Sequence, residues 1–572
     1  MKLVFKEYVA ALRERDELDV VLPDLLSELG YNVISRPGRG TDQGGVDVLA
    51  VSPADTDGKK RLYAFTIKKG NLTRDDWSNG NQSLVSSIDD IVFKYFNSSV
   101  PTALQDLEKV ICICFGGDIA EPMRDRVTGL TDTYSKRHNV AFEEWNGDKL
   151  AELLSAGILR QQLVSKSLRS CFQKSIAMLD EPEVSYENFS ILLKGLMPNE
   201  LSDRKRCLSS LRQTYVCLSV LYVWARDAEN LEAPYRASEL SILHAWEFIK
   251  TRSEGPESQK LRSTFEELLY LHFRIWDEYY GEKIIPLVGK KHAISAAVNA
   301  NSPVDTNLKL FEILGRLAQR GLWKLWEADQ KGIESDLKST HLCMAREIAE
   351  HIFQLISNNE CLFSPCTDKQ SAEIATALLF LSRFAEFRNF IRSYCELSLD
   401  HYRFSFILHD RYPTHISRYR DLISHPLEKT DTYRQWHTSG STLIPLLILW
   451  ASIDGPSEYT QVFAQFANEA LRHCNHQFWM VSNDSEDHLY TNDQRHGTAF
   501  SEIPITADGE LAMQRLDAVC DGDEAYPALS VIKSRHHPIL VMACRHYHLP
   551  LPPQSWIVAL KELRSSRARQ LT

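Results

Sequence analysis

Three residues near the N-terminus have types and a spacing that suit metal-assisted chemistry. Asp47 follows two glycines at the start of one apolar run, and Thr66 and Lys68 end the next. Residues i and i+2 of a β-strand point to the same face, so Thr66 and Lys68 are expected to share a face that Asp47 reaches from the neighbouring strand. A carboxylate there could bind a divalent metal, and a lysine could stabilise negative charge on a phosphate.

The elements that must position these residues follow from the apolar pattern. Helical spacing predicts a helix over 16–30, and β-branched and aromatic runs predict strands, the second and third of which form a hairpin. The run KVICICF is typical of a buried central strand. The predicted order is αβββαβαβ, with strands at 31–35, 46–51, 62–67, 109–115 and 139–145, and with further helices at 77–96, at 121–138 and from 147.

The pattern changes near residue 155, after which helical spacing dominates. We therefore predict an α/β domain over residues 1–155 and an irregular, mostly α-helical region over 156–572, with a possible sub-boundary near 358–370. A chain of 572 residues is too long for one hydrophobic core, which agrees with several domains.

Charge and composition limit the possible partners. The net charge of −11 argues against non-specific coating of nucleic acid, so any such contact must come from a local basic cluster. There is no signal peptide pattern, and no apolar run approaches the roughly 20 residues of a membrane span. With twelve scattered cysteines, a cytoplasmic protein with reduced thiols and no membrane contact is expected. The basic cluster comprises Arg36, Arg39, Lys59, Lys60, Arg61, Lys68, Lys69 and Arg74.

Residues 10–155 resemble the PD-(D/E)xK nuclease superfamily, in particular its Mrr-like restriction endonuclease branch. The resemblance lies in the helix LDVVLPDLLSELGYNV, the strands GGVDVLAV and LYAFTIKKG, a helix that begins near Trp77 and includes Gln82, and the closing NVAFEEWNGDKLAELL. It implies an α/β restriction-endonuclease-like fold for the N-terminal domain and a Mg²⁺ or Mn²⁺ cofactor.

By position, the resemblance assigns catalytic roles to Asp47, Thr66 and Lys68, and metal binding to Asp47 and Asp19. Thr66 departs from the family, which has Glu, Asp or Gln there, and a hydroxyl is a weaker Mg²⁺ ligand than a carboxylate. Another element could supply the missing acid: Asp19 and Glu17 are the auxiliary candidates, followed by Asp42, Asp75 and Asp76. The candidate nucleic-acid contacts are Arg36, Arg39, Lys69, Arg74 and Gln82.

The function that this resemblance implies is metal-dependent DNA endonuclease activity, with the protein an effector in prokaryotic antiphage defence. The helical region would sense a trigger, bind a protein partner or form a homo-oligomer. Two alternatives stay open. One is a catalytically inactive nuclease fold that binds nucleic acid or protein within a defence complex, and the other is a helical scaffold whose N-terminal domain assembles such a complex.

Overall fold

The computed structural model describes residues 2–35, 44–56, 58–78, 83–157, 166–198, 201–250, 255–492, 494 and 496–570. The chain forms two compact units, Met1–Ile249 with Ser253–Ile275, and Lys250–Arg252 with Trp276–Thr572. The change in pattern near residue 155 marks the point inside the first unit where a sheet gives way to helices.

The first unit begins with a five-stranded mixed sheet and the helices that cover it. The strands are β1 (Asn32–Ser35), β2 (Val48–Val51), β3 (Arg61–Lys68), β4 (Glu108–Phe115) and β5 (Ala141–Trp145). The helices are α1 (Lys2–Ala11), a π-helical turn (Glu14–Leu18), α2 (Asp19–Glu28), α3 (Arg74–Ser78), α4 (Leu84–Asp90), a second π-helical turn (Ile91–Tyr95), α5 (Phe96–Ser98), α6 (Arg124–His138) and α7 (Gly147–Gly157), with 3₁₀ turns at Thr102–Leu104 and Glu121–Met123.

The strands lie in the order β1-β2-β3-β4-β5. The first three pair antiparallel, and β3, β4 and β5 pair parallel. The predicted mixed α/β N-terminal region followed by a helical remainder is therefore confirmed at this coarse level.

Both faces of the sheet are covered, which explains why almost every residue of β3 is buried. Leu62 and Ala64 pack in one apolar cluster with α4 and α6. The intervening Phe65 faces the other way, where its ring lies 5.1 Å from that of Trp145. The alternation of the strand thus sets two layers of core around the central strand.

Five long helices complete the first unit. They are α8 (Lys166–Ala177), α9 (Pro182–Leu196), α10 (Arg204–Asp227), α11 (Glu232–Ile249) and α12 (Pro256–Trp276). Most residues of α10 and α11 are buried, so these helices form a hydrophobic core of their own in addition to the core of the sheet.

The second unit is helical, with two small two-stranded sheets. Its longest helices are α15 (Pro303–Ala328), α16 (Ser335–Asn358) and α18 (Arg388–Ile407). The other helices are α13 (Ile285–Val288), α14 (Ala293–Ala297), α17 (Ser371–Leu381), α19 (Tyr419–Ser424), α20 (Asp431–His437), α21 (Leu443–Ala451), α22 (Glu458–Ala470), α23 (Ser485–His488), α24 (Glu510–Asp521), α25 (Ala525–Ala528), α26 (Ser530–Lys533), α27 (His537–His546) and α28 (Ile557–Gln570). A π-helical turn (Asp277–Gly281) and 3₁₀ turns (Glu360–Phe363, Asp368–Gln370, Ala385–Phe387, Pro553–Ser555) lie between them.

The strands of this unit are β6 (Gly440–Ser441), β7 (Asn475–His476), β8 (Phe478–Val481) and β9 (Gly497–Phe500). The first two pair parallel and the last two antiparallel. Within the described ranges, no helix of either unit combines the length and the apolar character that crossing a bilayer requires.

Candidate functional site

A tight glycine turn delivers Asp47 to the sheet. Gly44 and Gly45 both have positive φ, 58° and 77°, a conformation that favours glycine. A Cβ on Gly45 would lie 2.2 Å from the carbonyl oxygen of Ser87 in α4. The second glycine is therefore required both by its backbone conformation and by the close approach of a helix.

This packing predicts a large stability loss for Gly45→Ala. We expect the free energy of unfolding to fall by about 3 kcal/mol, because the Ser87 backbone must move as well as the strained turn. Gly58→Ala is the matched control, since Gly58 has a φ of 76° and nothing within 4 Å of the added Cβ. Urea denaturation should show a loss of only about 1 kcal/mol there. Equal losses in the two variants would contradict the close approach.

The backbone at Asp47 departs from regular strand pairing, and its side chain turns towards the Ile67 amide. Its amide donates to the Phe65 carbonyl at 2.9 Å, and Phe65 is also the register partner of Val48. Asp47 and Val48 thus both lie opposite Phe65, as the two residues of a β-bulge do. A β-bulge changes the direction of the side chain that it carries. Oδ2 of Asp47 accepts a hydrogen bond from the Ile67 amide at 2.7 Å. The carboxylate is therefore fixed beside the backbone between Thr66 and Lys68.

Several charges act on the Asp47 carboxylate. Burial is the largest cause that raises its pKa, the Ile67 amide and the Lys68 ammonium lower it, and the nearby carboxylates of Glu14 and Asp19 raise it, with a net pKa of about 6. Asp47 is thus mostly ionised at pH 7 but takes up a proton in mildly acidic solution. Glu14, Asp19 and Lys68 lie near enough to Asp47 to influence its charge, and together they form the candidate site.

Lys68 is held at the end of β3 by a residue that the sequence pattern did not single out. Its side chain is 8% exposed, and Nζ lies 3.5 Å from Oε1 of Glu14. Glu14 begins the π-helical turn between α1 and α2. The only signal in the sequence was the acid-rich segment ERDELD, in which ordinary helical spacing gives no preference for Glu14.

Thr66 lies in the central strand β3, and the alternation of the strand puts it on the face where Leu62 and Ala64 pack against α4 and α6. It is 1% exposed, and its neighbour in β4 is Ile113. Its hydroxyl oxygen is buried without a hydrogen-bond partner in the structure. A buried polar atom left unpaired costs about 1–3 kcal/mol, and the groups that can pair such an atom are a bound water, an ion or a ligand.

The two auxiliary acids have different surroundings. Asp19 begins α2 and contributes to the electrostatics of Asp47. Glu17 instead binds two arginines: its Oε1 lies 3.0 Å from Nη1 of Arg226 and also accepts from Nη2 of Arg274. Burial raises the pKa of Glu17, but the Arg13 amide and the two guanidiniums together hold it below its usual value. Glu17 is therefore engaged in an ion cluster of its own.

The remaining candidates lie near the surface or cannot be placed. Lys69 and Arg74 are exposed after β3, as is Asp75. Asp76 accepts hydrogen bonds from the Thr73 amide at 2.9 Å and from its hydroxyl at 2.6 Å, so it caps α3. Arg36, Arg39, Gln82 and Asp42 lie outside the described residues.

The donor set suits a hard metal ion, although it is sparse. Among the described residues, no three His, Cys, Asp or Glu side chains are arranged to hold a metal. Mg²⁺ commonly keeps several waters and uses only one or two protein carboxylates. The Asp47 carboxylate, the unpaired Thr66 hydroxyl and the nearby Asp19 are oxygen donors of the required kind. By chemical type, these donors are the ones that a weakly liganded, water-rich Mg²⁺ or Mn²⁺ would need.

No protein-family model matches the chain, and neither the curated proteins nor the solved structures gave a match. The class that the structure defines is a mixed α/β region with a buried polar site, followed by a helical remainder. The functional argument therefore depends on the site itself.

Proposed function

We propose that this protein is a metal-dependent DNA endonuclease that acts in prokaryotic antiphage defence. The observation that carries the proposal is the Asp47–Lys68 site, where the Ile67 amide fixes the Asp47 carboxylate and β3 ends at the buried Lys68. A buried acid and a buried lysine at one end of the central strand, with an unpaired Thr66 hydroxyl in the same strand, are costly for folding, which favours a functional reason for their presence.

Each side chain has a specific part in this proposal. Asp47, Thr66 and Asp19 would hold a divalent metal, which when bound activates water and offsets the charge of the phosphate. Lys68 donates hydrogen bonds to a phosphate oxygen and stabilises the negative charge that develops on it. Glu14 neutralises Lys68 in the absence of substrate, so DNA must compete with Glu14 for the ammonium.

DNA contact in this proposal is local and weak. The net charge of −11 repels the phosphate backbone, and among the described candidates the exposed Lys69 and Arg74 after β3 supply a small positive patch. Efficient cleavage then needs a protein partner or a homo-oligomer that adds DNA contacts. The helices after the sheet supply the surface for such assembly and for sensing a trigger.

The second candidate is a nuclease fold that binds nucleic acid or protein without cleaving. Two features favour it. Residue 66 has a hydroxyl in place of a carboxylate, and the Lys68 ammonium already forms an ion pair with Glu14. The two candidates differ in one observable property, which is cleavage of DNA by the purified protein in the presence of a divalent metal.

The first test is cleavage of plasmid and linear DNA with Mg²⁺ or Mn²⁺. We expect slow cleavage by the wild type at low salt and high protein concentration, where weak DNA contact suffices, and a rate roughly 100-fold lower for Lys68→Ala, because one positioned donor to the developing charge is lost. Lys136→Ala removes an exposed lysine on α6 and should leave the rate unchanged. A wild-type protein that cuts neither DNA form nor single strands with either metal would favour the non-cleaving module.

A further inference from the structure

The π-helical turn between α1 and α2 is anchored at one residue, Glu17. The Glu17 side chain is 4% exposed, and its Oε1 receives both Arg226 and Arg274. Its Oε2 accepts from the Arg13 amide at 2.7 Å. Both oxygens of this carboxylate are thus bound, and the turn is tied to Arg13, the residue that precedes it, as well as to two distant side chains.

The two arginines belong to helices that come well after the sheet in the sequence. Arg226 lies on α10 and Arg274 on α12, with side chains 17% and 15% exposed. Both guanidiniums lie over the ring of Tyr222, at 5.5 and 5.6 Å. Arg226 also donates to the carbonyl oxygen of Ala11 at 3.2 Å, where α1 ends. Two cations share this acid, so its removal takes a close counter-charge from both, although Arg226 also lies 3.9 Å from Asp227.

The same turn and the residue that follows it carry two of the acids of the candidate site, Glu14 and Asp19. Glu14, three residues before Glu17, reaches Lys68 at 3.5 Å. Asp19, two residues after Glu17, begins α2 and acts on Asp47. The segment 14–19 therefore contacts α10 and α12 through Glu17, and it contacts the candidate site through Glu14 and Asp19.

We infer that Glu17 is a positioning residue through which α10 and α12 set the placement of Glu14 and Asp19 at the Asp47–Lys68 site. The inference rests on the proposed function for its biological meaning, which is control of the nuclease site by the helices that follow the sheet. Any partner or trigger that moves α10 or α12 relative to the sheet changes the site through this carboxylate.

The test is Glu17→Gln in the full chain, with two readouts that do not need DNA cleavage. Hydrogen exchange should become at least about tenfold faster in the peptide that spans residues 14–18, and faster also in the peptide with the Ile67 amide, which Asp47 holds. The Kd for Mn²⁺, followed by electron paramagnetic resonance, should rise at least about threefold. Glu17→Asp keeps the carboxylate and should restore most of both properties.

Controls separate positioning from general loosening of the fold. Glu108→Gln removes another ion pair of the first unit, with Arg61 at 3.0 Å, and should change neither readout. Arg226→Gln and Arg274→Gln each keep one arginine on Glu17, and each should give a smaller change of the same sign. These two variants decide the matter if Glu17→Gln does not fold.

The inference is overturned if exchange rises only in residues 14–18 while the Ile67 peptide and Mn²⁺ binding stay as in the wild type. Its failure is distinct from failure of the proposed function. A wild type that cuts no DNA, combined with weaker Mn²⁺ binding in Glu17→Gln, rejects the nuclease but supports the coupling. If the wild type binds no Mn²⁺, exchange at Ile67 alone decides.

Discussion

Asp47→Asn is expected to abolish DNA cleavage and, in the same protein, to raise the free energy of unfolding at neutral pH. Asparagine keeps an oxygen that can accept from the Ile67 amide, but it brings no charge to bind a metal. Loss of the principal carboxylate should lower cleavage by about 1,000-fold or more. The gain in stability arises because a buried charge is removed while its hydrogen bond is retained.

The pH dependence of this gain has a defined sign. Burial raises the pKa of Asp47 in the folded protein to about 6, above its ordinary value near 4 in the unfolded chain. The folded state therefore holds the proton more tightly, and the stability that this supplies is present below pH 4 and lost as the pH rises through 6. The asparagine variant should match the wild type at low pH and exceed it by about 3 kcal/mol at pH 8.

The measurement is urea unfolding in EDTA at several pH values between 4 and 8. Glu108→Gln, which removes an exposed acid of the same sheet, should stay within about 0.5 kcal/mol of the wild type throughout. In a parallel series with Mn²⁺ in place of EDTA, the metal should stabilise the wild type and leave Asp47→Asn unchanged, because only the former binds it. An asparagine variant that is no more stable than the wild type at pH 8 contradicts a buried charge at this position.

The order of the sheet elements could be predicted because the strands have a strong local signal. KVICICF became β4, and the two apolar runs on either side of the polar turn became β2 and β3. These runs are buried on both faces, so composition alone marks them as central strands. The glycines before Asp47 also carried a local signal, although the approach of Ser87 that makes Gly45 necessary is a tertiary contact.

The roles of Glu14 and Glu17 could not be predicted from the spacing of residues in the sequence. The predicted helix over 16–30 is interrupted at its start by a π-helical turn, and α1 precedes it. A π-helical turn shifts the angular position of every later residue, so the 3.6-residue period no longer tells which acid faces the sheet. The partners of Glu17 lie 209 and 257 residues away along the chain, beyond the reach of any local pattern. Glu14 was missed because it lies before the predicted helix and its partner, Lys68, belongs to β3.

Thr66→Glu is expected to turn a weak metal site into a strong one, at a large cost to the metal-free protein. Thr66 is 1% exposed, so a glutamate there adds a second buried carboxylate beside Asp47. Without metal, the free energy of unfolding should fall by about 3–5 kcal/mol, from desolvation and from repulsion between like charges. Bound Mn²⁺ neutralises both acids and should restore much of that loss.

Thr66→Gln separates charge from size. Glutamine has the shape of glutamate, so any loss of stability that the two variants share comes from packing a longer side chain against β4. The excess loss in Thr66→Glu is the electrostatic part, and only that part should respond to metal. Calorimetry should show Mn²⁺ affinity at least about tenfold higher for Thr66→Glu than for the wild type or Thr66→Gln, with faster DNA cleavage.

The outcome of this pair decides how the natural threonine is understood. If Thr66→Glu gains both affinity and cleavage, the natural site binds metal weakly because a hydroxyl stands where a second carboxylate could coordinate. Weak binding then makes activity depend on the placement of Asp19, which Glu17 and the helices after the sheet hold. If Thr66→Glu binds metal no better than Thr66→Gln, Asp47 and residue 66 do not converge on one ion. A nuclease fold that binds without cleaving is then the better interpretation of the Asp47–Lys68 site.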